Sequence, residues 1–204
     1  MRQLGRAFLL VCGLTACAAA PPSRSMALVG GEIMVTTPEN YCVDGTASRP
    51  RAGFAVIAPC STLGTGDAPP AVFGLATVQV GPADSGSVTG AEAAWRDLLI
   101  SDSGAALLSA VGRSDTVTVL GSQVQANAVK VHFADTAPPP MAGLQADEWR
   151  AFLDLNGRLV TVAVRGLARS PLQDGTGAWL LDSVLKGLQA VAAEVPGGTP
   201  APQG

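Results

Sequence analysis

The sequence predicts an α+β domain: a mostly antiparallel sheet of about six to seven strands, a helical insert, and a C-terminal amphipathic helix packed on the sheet. Three observations carry this expectation. Two strand-like runs meet at Asn156-Gly157, short β-branched runs recur upstream between Gly, Pro, Asp and Ser, and apolar residues near the C-terminus repeat at helical spacing. Asn-Gly favours a type I′ hairpin turn because both central residues must take positive φ. Trp149-Arg150-Ala151-Phe152-Leu153 leads into that turn, and Arg158-Leu159-Val160-Thr161-Val162-Ala163-Val164 leads out of it. Strand alternation then points Val160, Val162 and Val164 to one face. Further on, Leu181, Val184, Leu185, Leu188, Val191 and Ala192 fall on one side of a helix, with Asp182, Lys186, Gln189 and Glu194 on the other. This pattern predicts a helix over 178–194 whose apolar stripe meets the three valines.

Upstream strands are predicted at 32–36, 53–58, 74–81, 116–121 and 128–133, each rich in β-branched residues and bounded by turn formers. Between the third and fourth of these, 91–100 and 104–110 read as helical. Thr89 serves there as N-cap and Glu92, three residues on, completes a capping box. The 204 residues are 48% hydrophobic and 14% charged, with mean hydropathy +0.32, which suits one compact domain and excludes wholesale disorder. Thirteen Lys+Arg against sixteen Asp+Glu give a net charge of −3 with no basic run, which sets nucleic acid aside as a partner.

The first six residues carry Arg2 and Arg6 and no acid, and an apolar stretch follows from Ala7 to Ala16. This is the layout of a signal peptide, too short for a membrane-spanning helix of about 20 apolar residues. It ends in Leu14-Thr15-Ala16-Cys17, which resembles the lipobox of bacterial lipoproteins. The resemblance implies a diacylglycerol on Cys17, cleavage before it, and attachment to a membrane of the cell envelope. Cys12 follows Val11, which is too bulky for that cleavage position. Ala18 stands where many inner-membrane lipoproteins carry Asp, so the resemblance implies the outer membrane, facing the periplasm. The expected organisation is therefore a signal peptide at 1–16, a lipidated cysteine and flexible tether at 17–26, a single domain at 27–195, and a disordered Pro/Gly-rich tail at 196–204.

The hairpin at Asn156-Gly157-Arg158-Leu159-Val160, followed by a polar loop and a terminal helix, resembles the PsbP-like α/β/α sandwich. That family includes an extrinsic photosystem subunit, a nuclear-import factor and bacterial lipoproteins. The segments Tyr41-Cys42-Val43-Asp44, Trp149-Arg150-Ala151-Phe152 and Asn156-Gly157-Arg158 also resemble uncharacterised exported proteins of alphaproteobacteria. The resemblance implies a binding or assembly module and supplies no reaction.

Cys42 and Cys60 form an even pair in a chain expected in an oxidising compartment, and each lies beside a strand candidate, so a structural disulfide is expected. Cys-x-x-Cys spacing and convergent histidines, the marks of redox or metal sites, are absent, and neither metal nor cofactor is predicted. His132, the only histidine, shares a strand face with Lys130 and is expected at solvent or a cleft. No Gly-x-Ser-x-Gly elbow accompanies it, so no catalytic residue is assigned. Asp147 and Glu148 read as solvated acids leading into the Trp149 strand. Gly64-Thr65-Gly66-Asp67 lacks the Gly-Lys-Ser/Thr of a phosphate loop and reads as a plain loop. Trp149 with Arg150, Arg165 and Arg169 marks either core packing or a partner face.

The leading functional expectation is a lipid-anchored, non-enzymatic periplasmic protein that binds an envelope protein or assists assembly. The alternative is a small-molecule-binding lipoprotein with a cleft between the sheet and the helical insert at 91–110. An envelope hydrolase would require His132 within hydrogen-bond reach of a serine and an aspartate.

Overall fold

A computed structural model describes residues 21–191. Ten strands and three α-helices follow one another as β1 (Ser25–Leu28), β2 (Ile33–Thr36), β3 (Tyr41–Val43), β4 (Phe54–Pro59), β5 (Gly74–Val80), α1 (Glu92–Leu99), α2 (Asp102–Leu108), β6 (Val117–Gln125), β7 (Ala128–Asp135), β8 (Asp147–Leu155), β9 (Arg158–Gly166), α3 (Asp174–Lys186) and β10 (Leu188–Ala190). Seven strands form one sheet in the order β3-β4-β5-β9-β8-β7-β6, and β1-β2-β10 form a smaller one. Every strand pairing is antiparallel. The signal peptide expected at 1–16, Cys17 and the tail expected at 196–204 lie outside the described residues.

The β8–β9 hairpin turns on Asn156 (φ 52°) and Gly157 (φ 71°), the two positive-φ residues a type I′ turn requires. Its register sets Trp149 against Val164, Ala151 against Val162 and Leu153 against Val160, so these side chains share one face. There Val160, Val162 and Val164 are fully buried with Leu180, Leu181 and Val184 of α3, and Leu28, Ile33 and Val35 of the small sheet complete this core. The opposite face of the large sheet buries Val129, Val131, Phe133 and Phe152 under Val88, Leu99 and Leu108 from the helical insert. The result is three layers: α1–α2, the seven-stranded sheet, and α3 with the small sheet.

Several expectations need correction. The C-terminal helix starts at Asp174 and stops at Lys186, short of the expected 178–194. Gly187 ends it by passing so close to β2 that a Cβ would lie 1.8 Å from the Thr36 carbonyl oxygen. The chain then pairs Leu188–Ala190 with β2. Leu188 is buried as a strand residue while Val191, also on the expected helical stripe, is 40% exposed, so apolar spacing extends across a segment that folds as strand. Ordered pairing also begins inside the segment expected to be tether: Ser23 bridges Val43 and Ser25 starts β1. Met26 and Leu28 pack on the core, so a short Ser-rich opening carries a strand. Finally, Thr89 is not the cap of α1. Ala91 occupies that position without a side-chain bond, and the Thr89 N–H is taken by Asp154.

Asp154 fixes the start of the helical insert to the sheet. Its carboxylate accepts the N–H groups of Ser87 (3.0 Å), Val88 (2.8 Å) and Thr89 (2.8 Å). Burial pushes its pKa up, but those amides, led by Thr89, outweigh burial and hold it below the ordinary aspartate value. A depressed folded pKa contributes stability that is full above the unfolded value of about 3.9 and fades as pH falls through the folded one. Asp154→Asn should therefore cost about 1–2 kcal/mol at neutral pH. Urea titrations of both proteins should show the gap closing below about pH 3.9; a pH-independent gap would rule out this origin.

Cys42 in β3 and Cys60 just after β4 are joined as a disulfide, Cα–Cα 4.9 Å, across 18 residues of sequence. Asp67 lies close to both sulfurs, but sulfurs bonded to each other offer no thiolate to a metal. Closing a loop of this length stabilises by about 3 kcal/mol. The double variant Cys42→Ala/Cys60→Ala should show that loss in urea unfolding, and dithiothreitol should destabilise only the parent protein.

Candidate functional site

A cleft of about 250 Å³ opens on the α3 face of the large sheet, between β6, β7, β8 and α3. Its origin is geometric. A helix about 10 Å across covers roughly two strands spaced about 4.8 Å apart. α3 packs on β9, β8 and β5, and the sheet continues past it through β7 to β6.

Alternation along β7 places Lys130 and His132 on this face, and β8 contributes Trp149 opposite His132 in register. The imidazole lies flat against the indole, ring centroids 4.3 Å apart and planes 11° apart. Its Nδ1 stands 3.7 Å from the Asp174 carboxylate, beyond hydrogen-bond distance, and its buried Nε2 has no partner among the described residues. Lys130 Nζ donates to Asp182 Oδ1 at 2.5 Å, which closes one wall. Trp149, Ala178 and Leu181 supply apolar lining, and Gly121, Ser122 and Gln123 of β6 form the outer rim. Gly177 lets α3 approach, because a Cβ there would meet the Trp149 ring at 2.4 Å.

Sequence reasoning placed His132 and Lys130 together at solvent or a cleft, and the structure adds Asp174 and Asp182 from a segment more than forty positions away. Helical spacing left Asp182 on the polar side of the stripe, with no local signal that it meets Lys130. The cleft itself is not where the alternative reading put it. Between the sheet and the helical insert the space is filled by Val88, Leu99, Leu108, Phe133 and Phe152, with Trp95 against Phe152 at 5.4 Å. Among the described residues no hydrogen bond joins His132 to a serine or an aspartate; its nearest acid is Asp174, at 3.7 Å.

Glu148 also departs from its expected place. It is 3% exposed, and its two carboxylate oxygens accept from Arg150 Nε and Arg165 Nε at 2.5 Å each. Arg165 donates further to the Gln145 carbonyl at 3.1 Å, while Arg150 lies 5.1 Å from the centre of the Phe133 ring. These arginines are therefore committed to internal pairing and do not form an open partner face. Trp149 belongs to the core and floors the cleft.

The Ran-binding protein Mog1p of Saccharomyces cerevisiae superposes with a TM-score of 0.50 at 11% identity, over 84% of this chain and 96% of that one. A point mutant of Mog1 gives 0.50 at 12% identity, over 84% and 97%. The fold is shared with Mog1. The PsbP protein CyanoP of Synechocystis gives 0.45 at 11% identity, over 90% and 99%. No family model matches the chain, and no curated protein matches it. Among the described residues no helix is long and apolar enough to cross a membrane.

Proposed function

We propose that this chain is a non-enzymatic binding module, held on the periplasmic side of a bacterial envelope membrane by a lipid on Cys17, that engages a protein partner. The observation that carries the binding role is the His132–Trp149 cleft, an apolar floor with a few converging polar groups at its rim. Its outer wall is a sheet edge, so an occupant can extend beyond the cleft along the strand. The fold supports the reading in a general way, since Mog1p is itself a protein that binds a protein, Ran. The lipobox Leu14-Thr15-Ala16-Cys17 supports the anchor, and Ala18 supports the outer membrane. Two or three acyl chains, each buried methylene contributing about 0.8 kcal/mol, hold such a protein firmly.

A small-molecule ligand is the second reading, favoured by the cleft's apolar floor of Trp149, Ala178 and Leu181 with polar groups at its rim, although its volume of about 250 Å³ lies just under the roughly 300 Å³ where ligand sites usually begin. Crosslinking in intact cells, followed by mass spectrometry of purified adducts, separates the two. A reproducible adduct that joins an envelope protein to the rim of the cleft supports the partner role. Its absence from abundant, correctly anchored protein favours a small molecule, which a ligand screen on the purified protein then tests. For the anchor, Cys17→Ser should leave unprocessed or soluble protein, and a variant that remains acylated and membrane-bound would remove Cys17 from the account.

A further inference from the structure

The two edges of the large sheet are unlike. β3, at one edge, is three residues long, and its Val43 is already bridged by Ser23. β6, at the other, runs for nine residues, Val117–Gln125, with no charged residue and no proline. Edge strands of isolated domains are commonly blunted by lysine, proline or brevity, because their outward N–H and C=O groups otherwise pair with another chain. β6 has none of these, but a bulge-like register shift, another device that blunts an edge, falls between Val119 and Gly121. Above it Val117 and Val119 are half-buried, and below it 121–125 are exposed throughout, with both α1 and α2 packing on β6 and Glu92 of α1 accepting from the Asn127 N–H just beyond the strand. Leu120 is 52% and Val124 44% exposed.

The cleft begins where that free edge begins. Gly121 pairs with His132 and Gln123 with Lys130, so both face the cleft side of the sheet. A residue of an added strand that sat opposite Gly121 would share that face, and space over Gly121 is open: a Cβ there meets nothing within 4 Å. The charge around the cleft is unbalanced. Lys130 is paired with Asp182, while the Asp174 side chain is 88% exposed and, among the described residues, its one ionic neighbour is His132 Nδ1 at 3.7 Å.

From this juxtaposition we infer that β6 accepts an extended segment of the partner protein as an eighth strand, and that a lysine or arginine of that segment lies in the cleft with its cation at Asp174. The inference rests on the protein-binding reading above and names its mode. Main-chain bonds to 121–125 give affinity, and the cleft selects the side chain. The aliphatic stem of a basic residue suits the apolar floor of Ala178, Leu181 and Trp149, and its charge complements the unpaired carboxylate.

The test uses purified, detergent-solubilised full-length protein and fluorescein-labelled heptapeptides of alternating threonine and valine with a central arginine. Controls carry a central glutamate, or are N-methylated at every second residue in either of the two alternations. The arginine peptide should bind roughly tenfold more tightly than the glutamate peptide, and Asp174→Asn should erase most of that ratio. One N-methylated alternation should lose binding roughly tenfold while the other retains it, because only one edge of the peptide faces β6. A benzophenone on the peptide should label 117–125. Equal binding of arginine and glutamate peptides, indifference to both alternations, or no binding at about millimolar peptide would overturn the inference. So would a concentration-dependent dimer that protects the amides of 121–125, since the edge would then belong to a second copy. If these peptides fail while cellular adducts still map to the cleft, the strand-addition mode falls and the binding role stands.

Discussion

Glu148→Ala is expected to cost the domain about 3–5 kcal/mol, because it leaves the Arg165 guanidinium buried without its carboxylate. Arg165 is 5% exposed, and its remaining donors reach only backbone carbonyls of Gln145 and Ala146. The loss should appear as a lower urea midpoint at unchanged slope. Glu148→Gln keeps the shape and removes the charge, so it should share most of the deficit. The triple variant Glu148→Leu/Arg150→Met/Arg165→Met should recover much of it, since apolar residues of similar volume often replace a buried ionic triad at little cost. A single variant within about 1 kcal/mol of the parent would mean that solvent reaches Arg165 and that the pair is effectively a surface bridge.

Trp149→Ala should be of similar size, about 3–5 kcal/mol, since it empties a core position packed against α3 and removes the floor of the cleft. Its partner across the interface makes the experiment sharper. Gly177→Ala alone forces a methyl group into the indole and should cost about 1–3 kcal/mol, despite alanine's better helix propensity. In the Trp149→Ala background the same methyl enters empty space, and its effect should change sign to stabilising. A double-mutant cycle reads this coupling directly. Additive effects within about 0.5 kcal/mol would show that α3 does not rest on the Trp149 ring.

Local chemistry explains which parts of the molecule could be read in advance. Asn156-Gly157 specifies its turn through positive φ at two adjacent residues, and β-branched alternation specifies which face Val160, Val162 and Val164 present. Both are properties of a few neighbouring residues, so nothing distant can easily override them. Glu148 was misread because two adjacent acids look solvated until a strand pairing places Arg165, 17 residues away, beside one of them. The end of α3 was misread for a related reason. Helical periodicity continues through Leu188, and only the approach of β2 to Gly187 turns the chain into a strand.

By itself, then, the sequence determined an α+β sheet domain, its central hairpin and the apolar stripe of α3. All of these depend on spacing along the chain. Tertiary structure alone decided that α3 leaves the β6–β7 side of its face uncovered, that Asp174 and Asp182 meet His132 and Lys130 there, and that β6 ends the sheet as a free, uncharged edge. Which strand becomes an edge, and how far one helix reaches across a sheet, depend on the order in which strands assemble in space, and that order is not written in the periodicity of any single segment.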